Sequence, residues 1–204
     1  MIIKSICIGN EKEAYINSDF KEGLNIIFSD DNDKGKTIVI QAIMYCMGND
    51  KPMFPASFKY KDYYYILGIE SNGKDYKVLR KSKNIMVSGV NGNAIFDNIS
   101  EFKRYWNEVI EKIPVINKDN VEKIVDPELF LQVFFSGQDK KNTSDIINAG
   151  YYKKEDFYNL LCSMGNIREK INTEIDIKKV KAEINSLKNE KKNLLTENTI
   201  LKSN

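Results

Sequence analysis

The sequence predicts an α/β domain built around a phosphate-binding loop, with an antiparallel β-meander after the loop and the start of a coiled-coil helix at the C-terminal end. Three observations carry this. "LNIIFSDDNDKGKTIVIQAIMYCMG", Leu24 to Gly48, runs from a short apolar stretch through a loop ending in Gly-Lys-Thr into an apolar, helix-period stretch. From Lys61 to Asp97, β-prone runs are separated by the turn-forming "NGK", "SKN" and "NGN". From Ile177 onward, apolar residues return every seven positions.

The 204 residues suffice for one domain plus a small or elongated second piece. We divide them as 1–166 for the lobe and 167–204 for the outgoing helix. The net charge of +2 means that any surface for a polyanion must be a local patch. No apolar run approaches the length needed to cross a bilayer, and "MIIKSICIGNEKE" has no signal-peptide core, so no membrane partner is expected. Cys7, Cys46 and Cys162 are isolated from one another, which argues against zinc or a redox pair and fits a reducing cytoplasm. Histidine is absent, which excludes Ser-His and Cys-His catalysis and histidine-ligated metals within this chain.

Taken in order, "MIIKSICIG" and "EAYINSDF" are β-prone, and "LNIIF" after Gly23 suits a buried strand. Gly35 to Met47 is apolar nearly all round, so its helix must be buried, and Gly48 is a natural C-terminal stop. The meander takes "KDYYYILGIES", "KDYKVLRKS", "KNIMVSGV" and "NAIFD". In "ISEFKRYWNEVIEKI", Phe102, Trp106, Val109 and Ile110 share a helical face, with Ser100 as a fair cap. Asp126 and Pro127 open the next segment, whose "LFLQVFF" reads as helix or strand. In the tail, Val180, Leu187, Leu194 and Leu201 take one seam position. Ile177 and Ile184 take the other, followed there by Lys191 and Asn198. A coiled-coil seam fits this narrow stripe better than a surface helix packed on the core. At ~1.5 Å per residue the helix from Ile167 would project roughly 55 Å. It ends in mid-pattern, as a truncated coil would.

Each part of the loop has a physical role. Phosphates would be held by backbone N–H groups at the start of the helix, with Lys36 bridging the terminal phosphates and the Thr37 hydroxyl ligating magnesium. The first glycine of the usual G-x-x-x-x-G-K-[ST] is Asp30 here, and Asp31 and Asp33 follow. A solvated turn before an ordinary helix is the alternative. Asp30, Asp31 and Asp33 set against Lys34 and Lys36 leave one net negative charge, so modest, magnesium-dependent ATP affinity is expected.

With Asn32, Gly35, Lys36 and Thr37, "DDNDKGKT" resembles the ATPase heads of the SMC (structural maintenance of chromosomes) class, which serve DNA repair and bacterial antiphage defence. Ser29, Asp30, Ala42, Ile43, Tyr45, Met47 and Gly48 bring it nearer to the bacterial heads of S-D-x-N-x-x-G-K-S/T type. The resemblance implies the N-terminal lobe of an ABC/SMC-type P-loop NTPase head. ATP and Mg2+ would be held by Asn32, Asp33, Lys34, Gly35, Lys36, Thr37 and Ile38. It also makes Arg80, in "YKVLRKS", a nucleotide contact, a plain surface arginine being the alternative. Gln138, in "SGQDKK", would complete the magnesium shell and act with Lys36 in catalysis; Gln132 is its rival.

The same resemblance implies partners: the chain's own C-terminal lobe, a second head, double-stranded DNA and a nuclease or effector. The apolar run ending in Asp-Glu, the signature motif and the switch residue belong to that other lobe, so this stretch alone should hydrolyse ATP poorly or not at all. A nucleotide-independent coiled-coil scaffold with a degenerate loop is the competing function. A small P-loop kinase or GTPase is disfavoured, since no base-recognition element is present and the coil has no place there. The lysines at 59 and 61, 81 and 83, and 140 and 141 look scattered, and simple solvation accounts for them from sequence alone.

Overall fold

The computed structural model describes residues 1–31, 35–118, 121–135, 152–167 and 173–202. The chain divides into two compact units, Met1–Leu161 and Cys162–Asn204.

The first unit is organised by one six-stranded antiparallel sheet in the order β2-β1-β3-β4-β5-β6. Its strands are β1 (Ile2–Gly9), β2 (Ala14–Asn17), β3 (Tyr64–Ser71), β4 (Lys74–Lys81), β5 (Asn84–Gly89) and β6 (Gly92–Phe96). The expected meander is present from β3 to β6. Its tightest turns fall where the sequence supplies residues that tolerate positive φ: Asn72 and Gly73 (52° and 70°), Ser82 (56°) and Gly92 (95°). Period-two alternation sends Leu67 and Ile69, Tyr76 and Val78, and Ile85 and Val87 into the core. Helix α1 (Lys36–Cys46) lies against this sheet, and Val39, Ala42, Ile43, Tyr45 and Cys46 are buried. Burial pushes the Cys46 thiol up to about 12, which leaves it unreactive at neutral pH.

"LNIIF" departs from expectation. Residues 24–28 run without a strand partner among the described residues. Ile27 packs on the core, but Leu24, Ile26 and Phe28 are 89%, 80% and 78% exposed. The alternation is that of a strand. A strand also needs a neighbour to receive its backbone bonds, and the antiparallel sheet is built from other segments.

Helix α2 (Ile99–Tyr105) continues as one π turn, Trp106–Ile110, with Phe102, Trp106 and Ile110 buried as the helical face predicts. Its cap is Asn98 rather than Ser100: the Asn98 side chain accepts from Glu101 N at 2.9 Å, and Ser100 already lies inside the helix. A separate hairpin pairs β7 (Val115–Lys118) with β8 (Val121–Ile124). Helix α3 (Pro127–Gln132) settles the ambiguous "LFLQVFF" as helix up to Gln132, followed by a turn. Asp126 stands at its cap position, but its carboxylate accepts from Lys103 Nζ at 2.7 Å instead of from the helix. Helix α4 (Lys154–Met164) contributes Phe157 and Leu160 to the core.

In the second unit, α5 (Thr173–Lys202) is a single 30-residue helix. Val180, Ile184 and Leu187, from the expected seam, are exposed on it.

Candidate functional site: the loop and the two ends of its helix

Gly35 takes the left-handed conformation (φ 81°) and serves as the N-cap of α1, which places Lys36 and Thr37 in the first turn. A Cβ at Gly35 would meet only Ile38, at 3.9 Å, so the backbone conformation rather than space favours glycine there. Thr37 is exposed, while Lys36 and Ile38 are half-buried. Asp30, at the position of the missing first glycine, does not adopt positive φ, so its backbone there does not call for glycine.

The Lys36 ammonium is held by the loop itself. It donates to Ser29 Oγ at 2.7 Å and to the carbonyl oxygen of Asp31 at 2.8 Å, and the Ser29 hydroxyl donates to that same carbonyl at 2.7 Å. A lysine so placed stands over the start of a helix whose first N–H groups have no preceding turn to bond. A cation and a positive helix end facing one loop suit a phosphate group. Sequence reading included Ser29 in the motif but gave it no role. The structure makes it a partner of the lysine.

Asn32, Asp33, Lys34 and Gln138 lie outside the described residues. The rival glutamine, Gln132, is buried in α3. Among the described residues no cluster of carboxylates and cysteines could hold a metal ion. From the described part of the loop, the exposed Thr37 hydroxyl is an oxygen that could ligate magnesium.

Arg80 lies inside the lobe. It is 1% exposed, so it is no surface arginine. Its guanidinium donates to Tyr45 O at 2.5 Å, Asn49 O at 3.3 Å and Ser82 O at 3.3 Å, and pairs with the Asp50 carboxylate. It also lies 3.7 Å from the centroid of the Tyr45 ring. These partners sit at the C-terminal end of α1, about 15 Å of helix away from Lys36. The donors of Arg80 close the far end of the helix that carries the loop, where a cation also suits the negative end of the helix dipole.

Together, the sheet, the buried helix and the Gly-Lys-Thr entry define a P-loop NTPase-like α/β fold of the SMC-like ATPase class. The AAA domain family (AAA_23) matches residues 3–199, and the chain belongs to that family. It is similar to Lamassu protein LmuB of Bacillus sp. (strain NCIM 5461 / CCTCC AB 2011126 / NIO-1130), with 30% identity over 111 residues, which cover 54% of this chain and 19% of that protein. It is also similar to Lamassu protein LmuB of Bacillus cereus (strain VD014), with 24% identity over 207 residues, 96% of this chain and 36% of that protein. The chain thus spans well under half the length of either relative.

Proposed function

We propose that this chain is the ATP-binding N-terminal lobe of an SMC-like ATPase head. Lys36, Gly35, Thr37 and the loop residues Asn32, Asp33 and Lys34 hold ATP with Mg2+, and Gln138 completes the metal shell from its own segment. The carrying observation is the left-handed Gly35 that sets Lys36 and Thr37 at the start of a buried helix, with the lysine poised over the loop. Two heads would sandwich two ATP molecules, and hydrolysis would need the C-terminal lobe. Helix α5, with Val180, Ile184 and Leu187 exposed, supports a coil that needs a partner helix. The head would move that coil on DNA, in repair or antiphage defence, and no helix among the described residues is long and apolar enough to cross a membrane.

One observation favours a second reading. The lysine is already satisfied by Ser29 and Asp31, as a degenerate loop in a nucleotide-independent scaffold would be. Thermal melting separates the two. With both lobes present, ATP-γ-S and Mg2+ raise the melting temperature of the wild type, and Lys36→Ala removes the shift. An equal shift in the variant, or none in the wild type, overturns the ATPase reading.

A further inference from the structure

We propose that the outer face of the six-stranded sheet is a docking surface for an amphipathic helix of a partner protein, apolar along one stripe and acidic along both flanks. One face of the sheet is spent on the core, which receives Leu67, Val78 and Val87. On the other face the strand register lines up a single apolar row, one residue from each strand. Ile16 stands opposite Cys7, Cys7 opposite Ile66, Ile66 opposite Leu79, Leu79 opposite Met86, and Met86 opposite Ile95. The middle members keep part of their surface in solvent, and the ends, Ile16 and Ile95, are 68% and 75% exposed. No single strand reveals this row, because its members meet only through pairing.

The shape of the row selects the occupant. A second sheet would need several apolar rows side by side, but here the neighbouring rows are small or polar. Ser5, Gly68 and Ser88 border the row on one side, and Ala14, Gly9 and Asn84 on the other. A helix needs only one stripe. Six strands about 4.8 Å apart make the row roughly 24 Å long, the length of about 16 helical residues. Its steps are close to the roughly 5–6 Å between stripe residues on a helix. Charge sets the flanks. On β4, Lys77 and Lys81 lie two positions to either side of Leu79, so each side of the row has a lysine about 7 Å from its middle. Lys77 is exposed, Lys81 Nζ lies 3.7 Å from the ring centroid of Tyr64, and neither forms an ion pair among the described residues. The acids of this side, Glu70 and Asp75, stand opposite each other beyond Lys77, and Glu70 is held by Lys4 at 2.7 Å. The exposed stripe of α5 does not match such a surface from any copy of the chain, since Lys178 to Lys192 carries six lysines against two glutamates.

The test uses the 204-residue chain and two fluorescent synthetic helices of about 18 residues that share one leucine stripe. One carries glutamates along its flanks and the other lysines. No nucleotide is added, so the outcome is independent of the ATP-binding reading. By anisotropy at about 0.1 M salt, the glutamate peptide should bind at least ~10-fold more tightly than the lysine peptide. Lys77→Glu/Lys81→Glu should reverse that preference. Ile16→Ser/Ile95→Ser should weaken the glutamate peptide at least ~5-fold at an unchanged melting temperature, since both side chains are largely exposed. The wild-type comparison needs no variant to fold. Equal affinity for the two peptides, no binding of either, or full affinity in the isoleucine variant overturns the proposal. So does wild-type binding to phosphatidylserine vesicles in place of the peptide. Self-association that the isoleucine variant abolishes would make a second copy the occupant and overturn it as well.

Discussion

Arg80 carries its charge into the core because every polar neighbour it meets there is an acceptor. Two helix-end carbonyls, the Ser82 carbonyl, the Asp50 carboxylate and the face of Tyr45 surround it. Removing the guanidinium would take this donor from the Asn49 carbonyl and leave the Tyr45 carbonyl with Gly48 N, at 3.1 Å, and burial makes the lost bonds costly. Asp50 is half-exposed and would recover its hydration, which moderates the loss. Arg80→Met should therefore cost about 2–4 kcal/mol in urea unfolding, read as a lower midpoint at constant slope. Arg80→Lys should recover only part of this, since one ammonium cannot reach both carbonyls and cover the ring. A methionine variant as stable as the wild type would remove the clasp from the account. The strand parity of Arg80 was legible in the sequence: Tyr76, Val78 and Arg80 alternate, so an arginine on the apolar face was readable from "YKVLR". Its partners were not, because Asp50 and Tyr45 reach it only through the packing of α1 on β4. The grip of Ser29 on Lys36 was hidden for a similar reason, since loop backbone geometry has no periodic signature.

At the scale of elements, local chemistry marked the segments well wherever the deciding partner was close in sequence. The meander turns, Pro127 at the start of α3 and the face of Phe102 and Trp106 all belong to this group. The helix starts are finer. Asn98 displaced Ser100 because both can cap, and two positions separate them. Helix α4 begins with a device invisible from spacing alone. The Asp156 carboxylate accepts from Lys153 N at 3.0 Å and pairs with Lys118 of β7 at 2.8 Å. Burial pushes its pKa up, but the bonds from Lys118 and the Lys153 N–H outweigh this and hold it below the ordinary aspartate value. A lowered folded-state pKa stabilises the fold above the unfolded value of about 4, and that stabilisation is lost as pH falls through the folded value. Asp156→Asn should thus be less stable than the wild type at neutral pH and lose less stability on acidification. Urea unfolding followed from pH ~7 to ~3 checks this, and parallel pH profiles for the two proteins would overturn it.

Over the whole molecule, the unmet expectation and the proposed function converge on Leu24 to Phe28. The sequence specified the alternation of a strand, but no sequence window can say which chain delivers the neighbouring strand, because that pairing is non-local. In the structure Leu24, Ile26 and Phe28 face solvent while Ile27 anchors the segment to the core. They run directly into the loop that holds Lys36. A strand supplied by the C-terminal lobe of the proposed function would pair with this segment, so completing the sheet and ordering the nucleotide loop would be one event. Burying three such side chains is worth roughly 4–9 kcal/mol before association costs are subtracted. Leu24→Asp/Ile26→Asp/Phe28→Asp should leave the melting temperature of the isolated chain within a few degrees of the wild type, since these side chains contribute little to its core. Affinity for a separately produced C-terminal lobe, measured by titration calorimetry, should fall by about two orders of magnitude or more. The ATP-induced melting shift should vanish with it, although Lys36 and Thr37 are untouched. A variant that melts far lower on its own would place these residues in this lobe's own core. One that binds the second lobe like the wild type would show that the strand is completed elsewhere.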